Sequence, residues 1–97
     1  MNSGNRISYH PQVFKYDLPK LGMTARTRIR KAIEHKLAVA PQLYVIPLRG
    51  TLAQLWKLRI GDYGVVFCLD ETDVMILAMG HRSVVYEVAR RRASIIP

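Results

Sequence analysis

The sequence predicts a compact α+β domain in which an antiparallel sheet packs against two N-terminal helices and a short helix closes the chain. Three observations carry that expectation. Helix-period segments run from His10 to about Ala40, strand-period segments from Leu55 to His81, and helical spacing returns after Arg82. Two consecutive helices ahead of a sheet point to a layered α+β domain in which they cover one face.

Taken in order, Met1 to Asn5 is a polar pentapeptide expected to be disordered, and Arg6 to Tyr9 is a short strand. His10-Pro11 opens a helical stretch, since proline is tolerated in a first turn. Val13, Phe14, Leu18 and Leu21 place apolar groups on one side of it, with Asp17 among them, and Pro19 distorts or ends it. Beyond Gly22 a second helix is expected, with Thr24 as its N-cap and Ile29, Ala32, Ile33 and Leu37 as its apolar stripe. The pair reads as an αα-hairpin covering one face of the sheet, and Pro41 closes it. Gln42 to Pro47 is a connector, and Leu48-Arg49-Gly50 leads on to the strands.

In Leu55-Trp56-Lys57-Leu58-Arg59-Ile60 the side chains alternate, with Trp56, Leu58 and Ile60 on one face and Leu55, Lys57 and Arg59 on the other. Gly61-Asp62 is a two-residue hairpin signal, and the apolar run Tyr63 to Leu69 returns along the first strand. Asp70 to Asp73 turn the chain again, into Val74 to Met79 and then Gly80-His81-Arg82. Val84, Val85, Val88 and Ala89 follow helical spacing with Tyr86 among them, and Arg90-Arg91-Arg92 sit where cations oppose the negative end of a helix dipole.

Composition bounds the function. The 97 residues form one domain, large enough to bury roughly 60–65% of its unfolded surface without disulfide or metal. Fifteen Lys and Arg against 7 acidic residues give a formal charge of +8 and a pI near 10.2, a field that attracts phosphate backbones, anionic membranes or an acidic protein. Cys68 is the only cysteine and reads as a buried, inert thiol, consistent with a reducing cytoplasm. No apolar run approaches the ~18–20 residues of a membrane span, and the N-terminus opens no secretory apolar segment. A cytoplasmic location is expected. No metal-ligand cluster is visible, and no cofactor is expected.

Pro47-Leu48-Arg49-Gly50, then Leu55-Trp56-Lys57-Leu58-Arg59-Ile60-Gly61-Asp62-Tyr63, then Ala78-Met79-Gly80-His81-Arg82 with Val85-Tyr86, resemble the RelE/ParE superfamily of bacterial toxins, from about Tyr9 to Ala89. The resemblance implies a RelE-like fold and a type II toxin held inactive by a cognate antitoxin. RelE-type members cut mRNA in the ribosomal A site, whereas ParE-type members inhibit DNA gyrase, so the fold leaves the activity open. Operator DNA would be a partner only through the toxin–antitoxin complex.

Metal-independent RNA cleavage must deprotonate the 2′-hydroxyl, stabilise charge on the crowded phosphate and protonate the leaving 5′-oxygen. The resemblance puts Lys57, Arg59, Arg82, His81 and Tyr86 at the family's active positions. Lys57, Arg59 and Arg82 would hold phosphates, His81 would exchange protons, and Tyr86 would stack on a base or transfer a proton. Each has a plain alternative: solvated strand cations, a strand-end cap for His81 and core packing for Tyr86. Trp56 reads as core. Arg49, with Arg26, Arg28 and Arg30 on the helix and Arg90, Arg91 and Arg92 in the tail, would add nonspecific RNA contacts or meet an acidic antitoxin segment. One position departs from the pattern. RelE-like members commonly carry arginine directly after Gly-Asp-Tyr, and this chain has Gly64. Either Arg59 or Arg82 substitutes, or the target is not ribosomal mRNA, or the toxin is attenuated; a β-bulge or a close backbone approach would also account for a glycine.

Overall fold

The computed structural model describes residues 5–50 and 54–93, so most of the expected N-terminal disordered segment lies outside the described residues. Strands β1 (Arg6–Tyr9), β2 (Ile46–Pro47), β3 (Trp56–Ile60), β4 (Tyr63–Leu69) and β5 (Asp73–His81) form one sheet in the order β1-β5-β4-β3-β2. The β3-β4-β5 part is antiparallel, as expected, and β2, within the expected connector, adds a short antiparallel edge strand to β3. β1 instead joins β5 in parallel, with Arg6 opposite Asp73 and Tyr9 opposite Ile76.

Two helical stretches cover one face. The first is no regular α-helix: a wide turn at Val13–Asp17 runs into a 3₁₀ turn at Leu18–Lys20, where Pro19 sits. Helix α1 (Met23–Ala32) likewise widens into a turn at Ile33–Leu37, where the Ala38 N–H reaches back five residues to the Ile33 carbonyl. The sequence explains the widening. Buried residues recur at steps of four, as Val13, Asp17 and Leu21, and again as Ala25, Ile29, Ile33 and Leu37. Such a stripe drifts about 40° per step around a 3.6-residue helix, and a wider turn rotates it back toward the sheet. Gly22, not Thr24, occupies the N-cap of α1, and it supplies no side-chain cap.

Beneath these helices lies the larger core, in which Ile29, Ile33, Leu37, Val65, Phe67 and Ile76 are almost fully enclosed. Trp56 and Ile60 are partly buried against it and Leu58 lies within it, on the face their alternation predicted. Each enclosed aliphatic or aromatic side chain contributes about 1.5–3 kcal/mol. The expected connector is more ordered than its sequence suggests, forming a 3₁₀ turn at Pro41–Tyr44 before the short edge strand β2.

Helix α2 (Arg82–Ala93) covers the opposite face, where Leu48, Leu55, Val66, Leu77, Ala78, Val85 and Ala89 form a second core. Cys68 is half-buried at its margin, and burial, reinforced by the nearby Asp70 charge, pushes its thiol pKa up. The β5 strand carries a bulge: Phe67 pairs with Ile76 and Val66 with Ala78, leaving Leu77 as the extra residue. β1 stops opposite Ile76, so the edge of β5 beyond that point has backbone groups to satisfy.

Asp17 and Arg92 satisfy them. Arg92 donates to both carboxylate oxygens of Asp17, at 2.8 and 2.7 Å, and from the same guanidinium to the Leu77 carbonyl at 2.9 Å. The Met79 N–H donates to Asp17 Oδ2 at 2.9 Å. The two side chains are 8% and 7% exposed, which makes this a structural pair and corrects the expectation that Arg92 is a solvated tail cation. It fastens the first helical stretch, the bulged strand and α2 together at one point.

Candidate nucleic-acid interface

Register across the sheet builds the site on the α2 face. Lys57 stands opposite Val66, and Val66 opposite Ala78. One row on, Arg59 stands opposite Gly64, and Gly64 opposite Gly80. Two neighbouring strands thus present no side chain beside Arg59. Tyr86, in the first half of α2, fills the gap. The Lys57 ammonium lies over its ring, 5.1 Å from the centroid, a cation–π geometry. Lys57 is half-buried, whereas Arg59 is exposed and donates from Nε to the Gly61 carbonyl at 3.0 Å. Lys57, Arg59 and Tyr86 are therefore brought together, two cations and a phenol on one face.

His81 is not among them. It pairs with Tyr63 across the sheet, and the two rings meet edge to face with centroids 5.9 Å apart, on the side covered by the N-terminal helices. Its Nδ1 accepts from the Ser83 backbone N–H at 3.2 Å and lies 2.8 Å from Ser83 Oγ. His81 thus caps the start of α2: strand alternation turns it, with Tyr63, away from the face on which α2 seats Tyr86 beside Gly64 and Lys57, so the structure does not bring it together with Tyr86. Arg82, the first residue of α2, is exposed, and its N–H donates to the Asp62 carbonyl at 2.8 Å.

The remaining arginines separate by task. Arg26 and Arg30 belong to the helical layer, away from Lys57, and Arg26 donates to the carbonyls of Leu21 and Leu18 at 3.1 and 2.5 Å. Together they border a groove of about 370 Å³ between the two helical stretches, lined by Phe14, Leu18 and Met23. Arg28 reaches the β3–β4 hairpin, where its Nη2 lies 2.9 Å from where a Cβ on Gly61 would stand; Gly61 itself has a φ of +61°, which favours glycine at this turn. Arg49 is exposed, and its carbonyl accepts from Arg90 Nε at 2.8 Å. Arg90 therefore holds the Arg49–Gly50 turn, and Arg91 is exposed. Sequence reasoning missed Asp17 and Arg92 as partners. Their signal was an acid at the middle of a four-residue apolar stripe and a base seven residues after buried Val85.

The five-stranded sheet, covered by helices on one face and by the C-terminal helix on the other, matches the fold of solved RelE toxins. Over 96% of its length it matches 99% of a double mutant of the E. coli toxin RelE in the free state, with a TM-score of 0.67 at 20% identity. Over 82% of its length it matches 97% of a chain in the archaeal RelE–RelB complex from Pyrococcus horikoshii OT3, with a TM-score of 0.57 at 29% identity. No family model matches the sequence, and no curated protein matches it significantly. No helix among the described residues is long and apolar enough to cross a membrane.

Proposed function

We propose that this protein is the toxin of a type II toxin–antitoxin pair and a ribosome-dependent, metal-independent mRNA endoribonuclease of the cytoplasm. The observation that carries the reading is the cluster of Lys57, Arg59 and Tyr86 on one face of a RelE-type sheet. Lys57 and Arg59 hold the phosphates flanking the scissile bond and stabilise the charge that grows on the attacked phosphorus. Tyr86 offers its ring to a base and its hydroxyl to proton exchange with the 2′- or 5′-oxygen. Arg82, exposed at the start of α2, adds a phosphate contact. Arg49, Arg26 and Arg30 contribute the diffuse, salt-sensitive attraction to ribosomal RNA that a +8 chain brings. A cognate antitoxin is the protein partner, as the complexed archaeal neighbour suggests, and operator DNA is met only through that complex.

Gly64, standing where RelE-like toxins commonly have arginine, favours a second reading: a ParE-like inhibitor of gyrase or an attenuated toxin. One induction experiment separates them. Primer extension on translated messages should show cuts within codons for the wild type, reduced ~10²-fold or more in Tyr86→Phe and Lys57→Ala. Intact messages with altered DNA supercoiling would establish the gyrase reading, and intact messages without any growth effect the attenuated one.

A further inference from the structure

We propose that Gly64 is a positioning residue, the seat that holds the Tyr86 hydroxyl against β4 beside Lys57 and Arg59, where a side chain at position 64 would otherwise stand. Its catalytic consequence rests on the nuclease reading above; its geometry does not.

The backbone at Gly64 makes no demand for glycine, since positive φ among the described glycines is confined to Gly50 and Gly61. The demand is for space. A Cβ at Gly64 would lie 2.8 Å from the Tyr86 hydroxyl oxygen, 3.2 Å from Tyr86 Cζ and 3.2 Å from Val85 Cγ1. Gly80, its neighbour in the same row, is the internal contrast: a Cβ there would meet only Val85 Cβ, at 3.9 Å. Tyr86 has little freedom to yield inward, because Val85 and Ala89 are enclosed in the core beneath α2 and Arg92 fastens the far end of the helix to Asp17.

Among the described residues the seated hydroxyl has no hydrogen-bond partner, and it is not shut from solvent, so its donor and acceptor capacity is unused within the fold. Lys57 sits over the ring and Arg59 stands across the register from Gly64, so a phosphodiester held by both cations lies against the phenol. Gly64 and Tyr86 are thus one device. The chain has given up a side chain on β4 and put a phenol from α2 in its place, and the missing arginine becomes part of the site's construction.

The test is a double-mutant cycle of Gly64→Ala and Tyr86→Phe, with Gly80→Ala as control. In an ordinary strand, alanine for glycine stabilises. The seat reverses that sign: Gly64→Ala should lower the midpoint of thermal unfolding by about 4 °C or more. The loss should shrink in the Tyr86→Phe background, where the nearest atom is gone, and Gly80→Ala should leave the midpoint unchanged or raised. In ribosome-dependent cleavage, Gly64→Ala should reduce kcat ~10²-fold with KM little changed, and add little once Tyr86→Phe is present. A Gly64→Ala protein as stable and as active as the wild type overturns the seat. Stability coupling in a protein whose wild type cuts no message keeps the seat and overturns the nuclease reading instead.

Discussion

Two charged clusters in this molecule invite comparison, because the same residue types do opposite work in them. At the margin between sheet and helices, Arg92 and Asp17 are shut from water and grip each other in two parallel hydrogen bonds. On the α2 face, Lys57 is half-buried over the ring of Tyr86 and Arg59 reaches solvent, with a backbone carbonyl as its hydrogen-bond acceptor. A buried charge that loses its partner is left in a medium that cannot solvate it. A solvated cation loses little when its neighbours change, and its field remains available to an anionic polymer. In this basic chain, the arginine that fastens the fold is not the one left open to solvent.

The comparison breaks most readily at the buried pair. Arg92→Ala or Asp17→Asn should destabilise the protein by about 3–5 kcal/mol, a large part of a domain's usual margin, as read by urea unfolding. A change under about 1 kcal/mol would show that the pair is a bystander. The double variant Lys57→Ala/Arg59→Ala should reverse the pattern, losing cleavage ~10²–10³-fold while unfolding within about 1 kcal/mol of the wild type. His81→Ala sharpens the division, since a lost helix cap costs about 1 kcal/mol. Its kcat should fall only a few-fold per folded molecule. The smallest effect concerns Cys68. Burial favours its neutral thiol in the folded state, so the stability it contributes is complete below the ordinary thiol range. That contribution is lost as pH rises past the unfolded thiol's pKa and through the raised one. Alkylation by iodoacetamide should accordingly set in at higher pH than for an exposed cysteine peptide.

What the sequence revealed and what it concealed follow from range. Strand β3 was legible because Trp56, Leu58 and Ile60 alternate strictly with Lys57 and Arg59, and Gly61-Asp62 announced the turn to β4. The side of the sheet on which Lys57 and Arg59 stand was legible for the same reason. β2 was not, because two residues carry no period, and the bulge at Leu77 was hidden in a strand apolar on both faces. The parallel pairing of β1 left no local mark. Arg92 reads as part of a charge run because its partner lies 75 residues away, and nearness in sequence conceals that His81 ends a strand on one face while Tyr86 rides a helix on the other. Gly64 could be recognised as a departure, but its reason stands 22 positions downstream, in an oxygen that needs the room.

The parallel union of β1 with β5 has a kinetic consequence. Arg6 meets Asp73 across 67 residues, and Asp17 meets Arg92 across 75. What is synthesised first is fastened last, since loop-closure entropy must be overcome before such distant contacts form. The hairpins between Trp56 and His81 are the natural place for order to begin, and the amino-terminal strand and its helices must wait, unanchored, until that scaffold exists.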